Sequence, residues 1–148
     1  MRPKKLLLFP LLALLIVVGS LTAGCGAAGE ASHDLAMASL DGMPADVQSA
    51  PAVVREAYQF AAANPDVMKQ IPCYCGCGEM GHTSNYACYV ADVSADGAIT
   101  YDTHALGCSI CVDITQDTMR LLKQGKSIQE IKSYVDGTYA RYGPSNMP

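Results

Sequence analysis

Six cysteines and two histidines fall within 39 residues of this chain: Cys73, Cys75, Cys77, His82, Cys88, His104, Cys108 and Cys111. Three of the thiols and His82 sit in the single stretch "CYCGCGEMGH", and His104, Cys108 and Cys111 in "HALGCSIC". Thiols at this density support three kinds of chemistry. They close into structural disulfides, they exchange disulfides with a partner, or as thiolates they ligate a soft cation together with imidazole.

Spacing discriminates among these. Six cysteines in an oxidising compartment invite three disulfides. A bridge within Cys-x-Cys closes a very small ring of poor geometry, however, so Cys73, Cys75 and Cys77 need partners elsewhere. Cys108 and Cys111 lie three apart on a predicted helix, and His104 precedes Cys108 by four. At about 100° per residue the three side chains span only about 60° of one helix face. A helix presenting His104, Cys108 and Cys111 opposite a loop presenting Cys73, Cys75, Cys77, His82 and Cys88 is ligand geometry. That reading requires the sulfurs of Cys73, Cys75 and Cys77 to lie within about 10 Å of those of Cys108 and Cys111, given Zn–S bonds near 2.3 Å.

The donors suit Cu or Zn, since thiolate and imidazole together select both. Zinc would take two closed tetrahedral sites from eight ligands, whereas Cu(I) accepts lower coordination and thiolate clusters. Iron–sulfur ligation would need four thiolates around one cluster. Met80, beside the loop, is expected to pack, although its thioether is also a soft donor. No Gly-x-Ser-x-Gly, phosphate loop or His-Glu-x-x-His occurs, so an ordinary hydrolytic enzyme is not expected. Asp113 and Asp117, four apart, read as the solvated face of a helix.

The compartment follows from the first residues. Arg2, Lys4 and Lys5 precede an uncharged run from Leu6 to Gly24, a basic region and apolar stretch of the secretory type. "LTAGC" then resembles a lipobox, at which bacterial lipoproteins are cut and their first cysteine lipidated. Residues 1–24 are therefore expected to be a removed signal and Cys25 a lipidation site. The protein would sit on the extracytoplasmic face of the cell membrane, anchored by that lipid. Loss of three of the ten basic groups moves the formal charge from −4 to −7, which gives no support for nucleic-acid binding.

Residues 25–49, rich in Ala, Gly, Ser and Asp, read as a flexible tether that buries too little to offset its ordering entropy. His33, Met37 and Met43 within it are soft donors in a segment otherwise without signals. The Cys-rich domain is expected over 50–143 and a tail over 144–148. It reads as one small, mostly α domain of three or four short helices with a Cys/Gly-rich loop. Val54, Ala57, Tyr58 and Ala61 recur at helical spacing after Pro51, and Asn64-Pro65 ends that helix before the short "PDVMKQI". Asp96-Gly97 between Tyr89 and Tyr101 suggests a short β-hairpin, while the stretch before Val90 fits a helical turn equally well. Leu106, Ile110, Ile114 and Leu121 place a helix over the His104 segment up to Gly125. Ser127 with Glu130 forms a capping box that opens a last helix, with Ile128, Ile131, Val135 and Tyr139 inward.

"PCYCGC" followed by "GH", Cys88 and the His104-x3-Cys108-x2-Cys111 segment resembles the PCYCGC-motif lipoproteins of bacteria. That resemblance implies a secreted, lipid-anchored, metal-binding domain and names no activity. The last third, "CSIC" with "GKSIQEIKSYVDGTYARYG", is similar to the end of the membrane-anchored thiol oxidoreductases of cytochrome c maturation. That second resemblance implies Cys108 and Cys111 as a redox pair. The reading adopted is a lipid-anchored metal-binding protein serving Cu or Zn delivery, storage or sensing, with a metal transporter or redox protein as partner. The alternatives are a thiol–disulfide oxidoreductase working through Cys108 and Cys111, and a disulfide-stapled binding module.

Overall fold

The computed structural model describes residues 34–147. The expected signal over 1–24, the expected lipidation site Cys25 and the candidate donor His33 lie outside the described residues. Among the described residues six helices and a two-stranded antiparallel sheet make a small, mostly α domain. In chain order they are α1 (Ala45–Ser49), α2 (Ala52–Ala63), α3 (Pro65–Met68), β1 (Val90–Val93), β2 (Ile99–Tyr101), α4 (His104–Gly107), α5 (Ser109–Lys123) and α6 (Ile128–Tyr139). Two 3₁₀ turns, Cys77–Met80 and Asn85–Cys88, stand between α3 and β1. Among the described residues no helix is long and apolar enough to cross a membrane.

The longest helix among the described residues, α5, packs against both α2 and α6. Each contributes an apolar stripe, as helical periodicity demands. Ala57, Tyr58, Phe60 and Ala61 come from α2, Val112, Ile114, Met119 and Leu121 from α5, and Ile131, Val135 and Tyr139 from α6, all buried. The capping box is formed: the Ser127 hydroxyl accepts from the Glu130 N–H, and the Glu130 carboxylate accepts from the Ser127 N–H at 2.8 Å. Asp117 is no solvated side chain. It accepts from the Tyr139 hydroxyl at 2.7 Å and pairs with Arg120, tying α5 to α6. Asp113 is exposed as expected.

Pro51 occupies the N-cap of α2, and Asn64 ends it as Pro65 opens α3, because proline lacks the N–H an interior position needs but fits a first turn. β1 and β2 pair across Ser94–Ala98, with Gly97 at φ +87°. The undecided stretch before Val90 is the second 3₁₀ turn, so helical turn and hairpin follow one another.

Three expectations need correction. The tether does not run to residue 49: Met43 and Val47 are buried, and Leu35, Ala38 and Leu40 pack on the core. A few apolar anchors suffice where the segment can also bond to α2, as Ala38 does when its N–H donates to Gln59. Met43 is thus a core residue, while Met37 is exposed. The C-terminal segment is no tail either, because Asn146 is bonded to Cys73. Finally, the His104 helix is not continuous. Cys108 is extended (φ −120°, ψ 100°) and separates α4 from α5.

Candidate metal centre

The loop that carries Cys73, Cys75 and Cys77 is held at both ends. Its start is fixed by Asn146, whose side-chain oxygen accepts from the Cys73 N–H at 2.7 Å and whose N–H donates to the Cys73 carbonyl at 3.0 Å. Its end is fixed by the Asn85 N–H, which donates to the Ile71 carbonyl at 2.7 Å. Between them Gly76 (φ +83°) and Gly81 (φ +87°) bracket the first 3₁₀ turn. Residues with a Cβ adopt that left-handed backbone at a cost, so glycine lets the chain reverse while Cys75 and Cys77 both turn inward.

The eight donors gather at one place. Cys75, His104, Cys108 and Cys111 form one group whose ligand atoms lie within 4.8 Å of one another, and Cys77, His82, Cys88 and His104 form another. Cys73 joins Cys88 and Cys111 in a third, and Cys75 and Cys77 in a fourth. The Sγ of Cys73 is 3.4 Å from that of Cys75 and 3.5 Å from that of Cys111. Cys75 and Cys111 are 3.6 Å apart, and Cys77 and Cys88 3.7 Å. The His104 Nε2 stands 3.5 Å from the Cys75 sulfur. The required convergence of loop and helix therefore holds.

These separations bear on the chemistry. A disulfide brings sulfurs to about 2.05 Å, and the six cysteines among the described residues are free. Two thiolates bound at about 2.3 Å to one tetrahedral ion lie about 3.8 Å apart. The observed sulfur pairs are at ligand spacing. They could hold a metal ion without large rearrangement.

The break at Cys108 builds the site rather than spoiling it. Its extended backbone makes it the N-cap of α5. His104, from the preceding turn, and Cys111, from the first turn of α5, still reach the same group. Burial grades the donors. Cys73, Cys77, Cys88, Cys111 and His82 are buried, whereas Cys75, His104 and Cys108 are partly exposed. Met80 neither packs nor is enclosed: it is 64% exposed.

His82 carries the clearest mark of a ligand. Its Nε2 faces the Asp102 carboxylate at 3.5 Å, while its Nδ1 is buried with no hydrogen-bond partner. An unpaired buried nitrogen is costly. A carboxylate on one ring nitrogen with the other free to bind is the usual setting of a metal-ligating histidine, and His82 shares a group with Cys77 and Cys88. Asp102 also accepts from the backbone N–H of His104 at 2.7 Å, so one carboxylate contacts both histidines, whose rings meet edge to face at 5.1 Å.

Ionisation in the metal-free centre is shared. The thiol of Cys111, and then that of Cys88, hold Cys73 far below the usual thiol range. Cys111 is pushed up, first by that same bond to Cys73 and then by its bond to Cys88 and by burial. Burial raises Cys75 and Cys77, with the nearby Cys73 charge adding to both. Bonding to Cys111 pulls Cys88 down, but bonding to Cys73, burial and that charge outweigh it. One thiolate settles among protonated neighbours because a second anion beside it would be repelled.

Over residues 14–148 the chain matches the family described as proteins of unknown function with a PCYCGC motif. It belongs to that family. No curated protein and no solved structure matches the chain. The motif that names the PCYCGC family supplies three of the eight donors, Cys73, Cys75 and Cys77. The rest come from beyond it.

Two residues of the site escape a reading by residue type. Asn146 donates from its side chain to the Cys77 sulfur at 3.5 Å besides anchoring Cys73. Asp102 was signalled only by its position two before His104. Further in, Tyr89 donates to the Cys111 carbonyl at 2.9 Å, and Asn85 to Thr115 at 3.0 Å. These bonds fix the first turn of α5 beneath the site.

Proposed function

We propose that this PCYCGC protein is an extracytoplasmic, lipid-anchored metal-binding protein that handles Cu or Zn. The observation that carries the reading is the convergence of six free thiols and two imidazoles at ligand spacing, with an orphaned His82 nitrogen among them. The soft donor set suits Cu(I) and Zn(II). Partly exposed donors, Cys75, His104 and Cys108, suit exchange with a partner more than a sealed structural site, so delivery or sensing at the envelope fits better than storage. The lipid on Cys25 would hold the centre near the membrane, within reach of a metal transporter. Elemental analysis with thiol counting on anaerobically purified protein tests this. Stoichiometric Cu or Zn with six protected domain thiols supports it, and metal-free protein with three disulfides ends it.

One observation favours a second reading. Cys108 is a partly exposed thiol at the N-cap of α5, within reach of a partner's disulfide. Cys111 stands in the turn behind it, the order of a redox pair. Against it, Cys111 is in closer contact with Cys73 and Cys75 than an isolated dithiol would be.

A further inference from the structure

Eight donors are twice what one tetrahedral ion accepts. Nor do they divide into two separate sets of four. Cys75, Cys108 and Cys111 belong to one side, and Cys77, His82 and Cys88 to the other, while His104 falls in the groups of both. Cys73 is likewise within 4.8 Å of Cys75 and Cys111 on the first side and of Cys77 and Cys88 on the second. Each side thus has three donors of its own, with two more between them.

The two intermediate donors differ in what they can do. A neutral imidazole offers one lone pair on one nitrogen, so it serves a single ion. A thiolate sulfur has several lone pairs and joins two ions, as sulfur does in metal–thiolate clusters. Cys73 is also fully buried, and its backbone is clamped by Asn146 on both N–H and carbonyl. A bridge needs such a fixed position.

We propose that the centre holds two thiophilic ions joined through the Cys73 sulfur, an inference that rests on the metal-binding reading above. Cys73 completes a tetrahedron at both ions. His104 is then the replaceable donor on the exposed side, beside Cys75 and Cys108. The two positions are unequal: one opens to solvent through partly exposed donors, and the other is enclosed by Cys77, His82 and Cys88. On loading, each ligand thiol that is still protonated gives its proton to solvent, and the charge of the two ions offsets part of the thiolate charge.

Anaerobic titration of the reduced, metal-free protein with Co(II), followed by electron paramagnetic resonance, tests the bridge. The expected result is two cobalt ions per chain, with a signal that grows over the first equivalent and falls over the second as bridged ions couple. Cys73→Ala should abolish that fall. Should Cys73→Ala lose its fold by circular dichroism, the conservative Cys73→Ser decides. It should bind cobalt without the fall in signal, and two coupled ions in Cys73→Ser would overturn the proposal. Two ions with additive signals, saturation at one ion, or coupling that survives in Cys73→Ala overturn it while leaving metal binding intact. No cobalt bound at all would instead overturn the metal-binding reading on which it stands.

Discussion

The sulfur of Cys73 lies 3.5 Å from the sulfur of Cys111, 38 positions further along the chain. That contact joins the glycine-bracketed loop to the first turn of α5. Every consequence below depends on the loop and the helix being held together there.

If loop and helix share one centre, each should matter alone. Losing a residue that only supports a ligand typically costs about 10–100-fold in metal affinity. Cys75→Ser and Cys108→Ser, made separately, should each cost at least that much in a chelator competition. His104→Ala should cost less than either, because Cys73 already completes the tetrahedron beside it. Loss confined to Cys108→Ser would point to the dithiol instead.

Metal competes with protons for the same sulfurs. Cys75, Cys77, Cys88 and Cys111 are raised above the ordinary thiol range by burial and by the Cys73 thiolate. The metal-free centre therefore keeps those protons at neutral pH and must release them on loading. Apparent affinity should fall steeply as pH is lowered from about 8 to about 6. Calorimetry in buffers of different ionisation enthalpy should show several protons released per chain; none released would contradict thiolate ligation.

Asn146 should act as a positioning residue. Asn146→Ala leaves the Cys73 N–H without its acceptor and the Cys77 sulfur without its donor. An unsatisfied buried group costs about 1–3 kcal/mol, visible as a lower unfolding midpoint. Metal affinity should drop as well, by about 10–100-fold. Asn146→Asp keeps the acceptor for Cys73 and should recover most of the stability but not the affinity, because it sets a charge beside the sulfurs. Equal recovery of both would reduce Asn146 to a purely structural role.

Glu130 gives a test on the scaffold. Bonds from the Ser127 backbone, then its hydroxyl and Lys126, hold the carboxyl near 2 against an ordinary 4.5. Its folded value is depressed, so its contribution is present above about 4.5 and is lost as pH falls toward about 2. Wild type should melt above Glu130→Gln at pH 7, and the gap should close over that window. A gap unchanged down to pH 2 would remove the capping box as its source.

Local features were legible in the chain. The capping box, the Asp96-Gly97 turn, Pro51 and Asn64-Pro65 each act within a few residues, so their neighbours suffice to predict them. The break at Cys108 was hidden because Leu106, Ile110 and Ile114 repeat at helical spacing through it. That spacing reports which residues face the core, and a helix interrupted by one extended residue satisfies it too. Met43 and Val47 were hidden for another reason: composition averages a segment, whereas two buried anchors are enough to fix it.

By itself the sequence determined the donors and their chemistry: six thiols and two imidazoles, on a small, mostly α frame with a glycine-bracketed loop. Side-chain identity sets which cations bind, and identity is what a sequence states. Tertiary structure alone decided how the donors divide, since that depends on distances between residues tens of positions apart. Only packing puts Cys73 between two groups of three, buries the His82 Nδ1 without a partner while Nε2 faces Asp102, and brings Asn146 back across the chain to clamp the loop. Long-range contacts of this kind come from the burial of α2 and α6 against α5, and no local pattern encodes them.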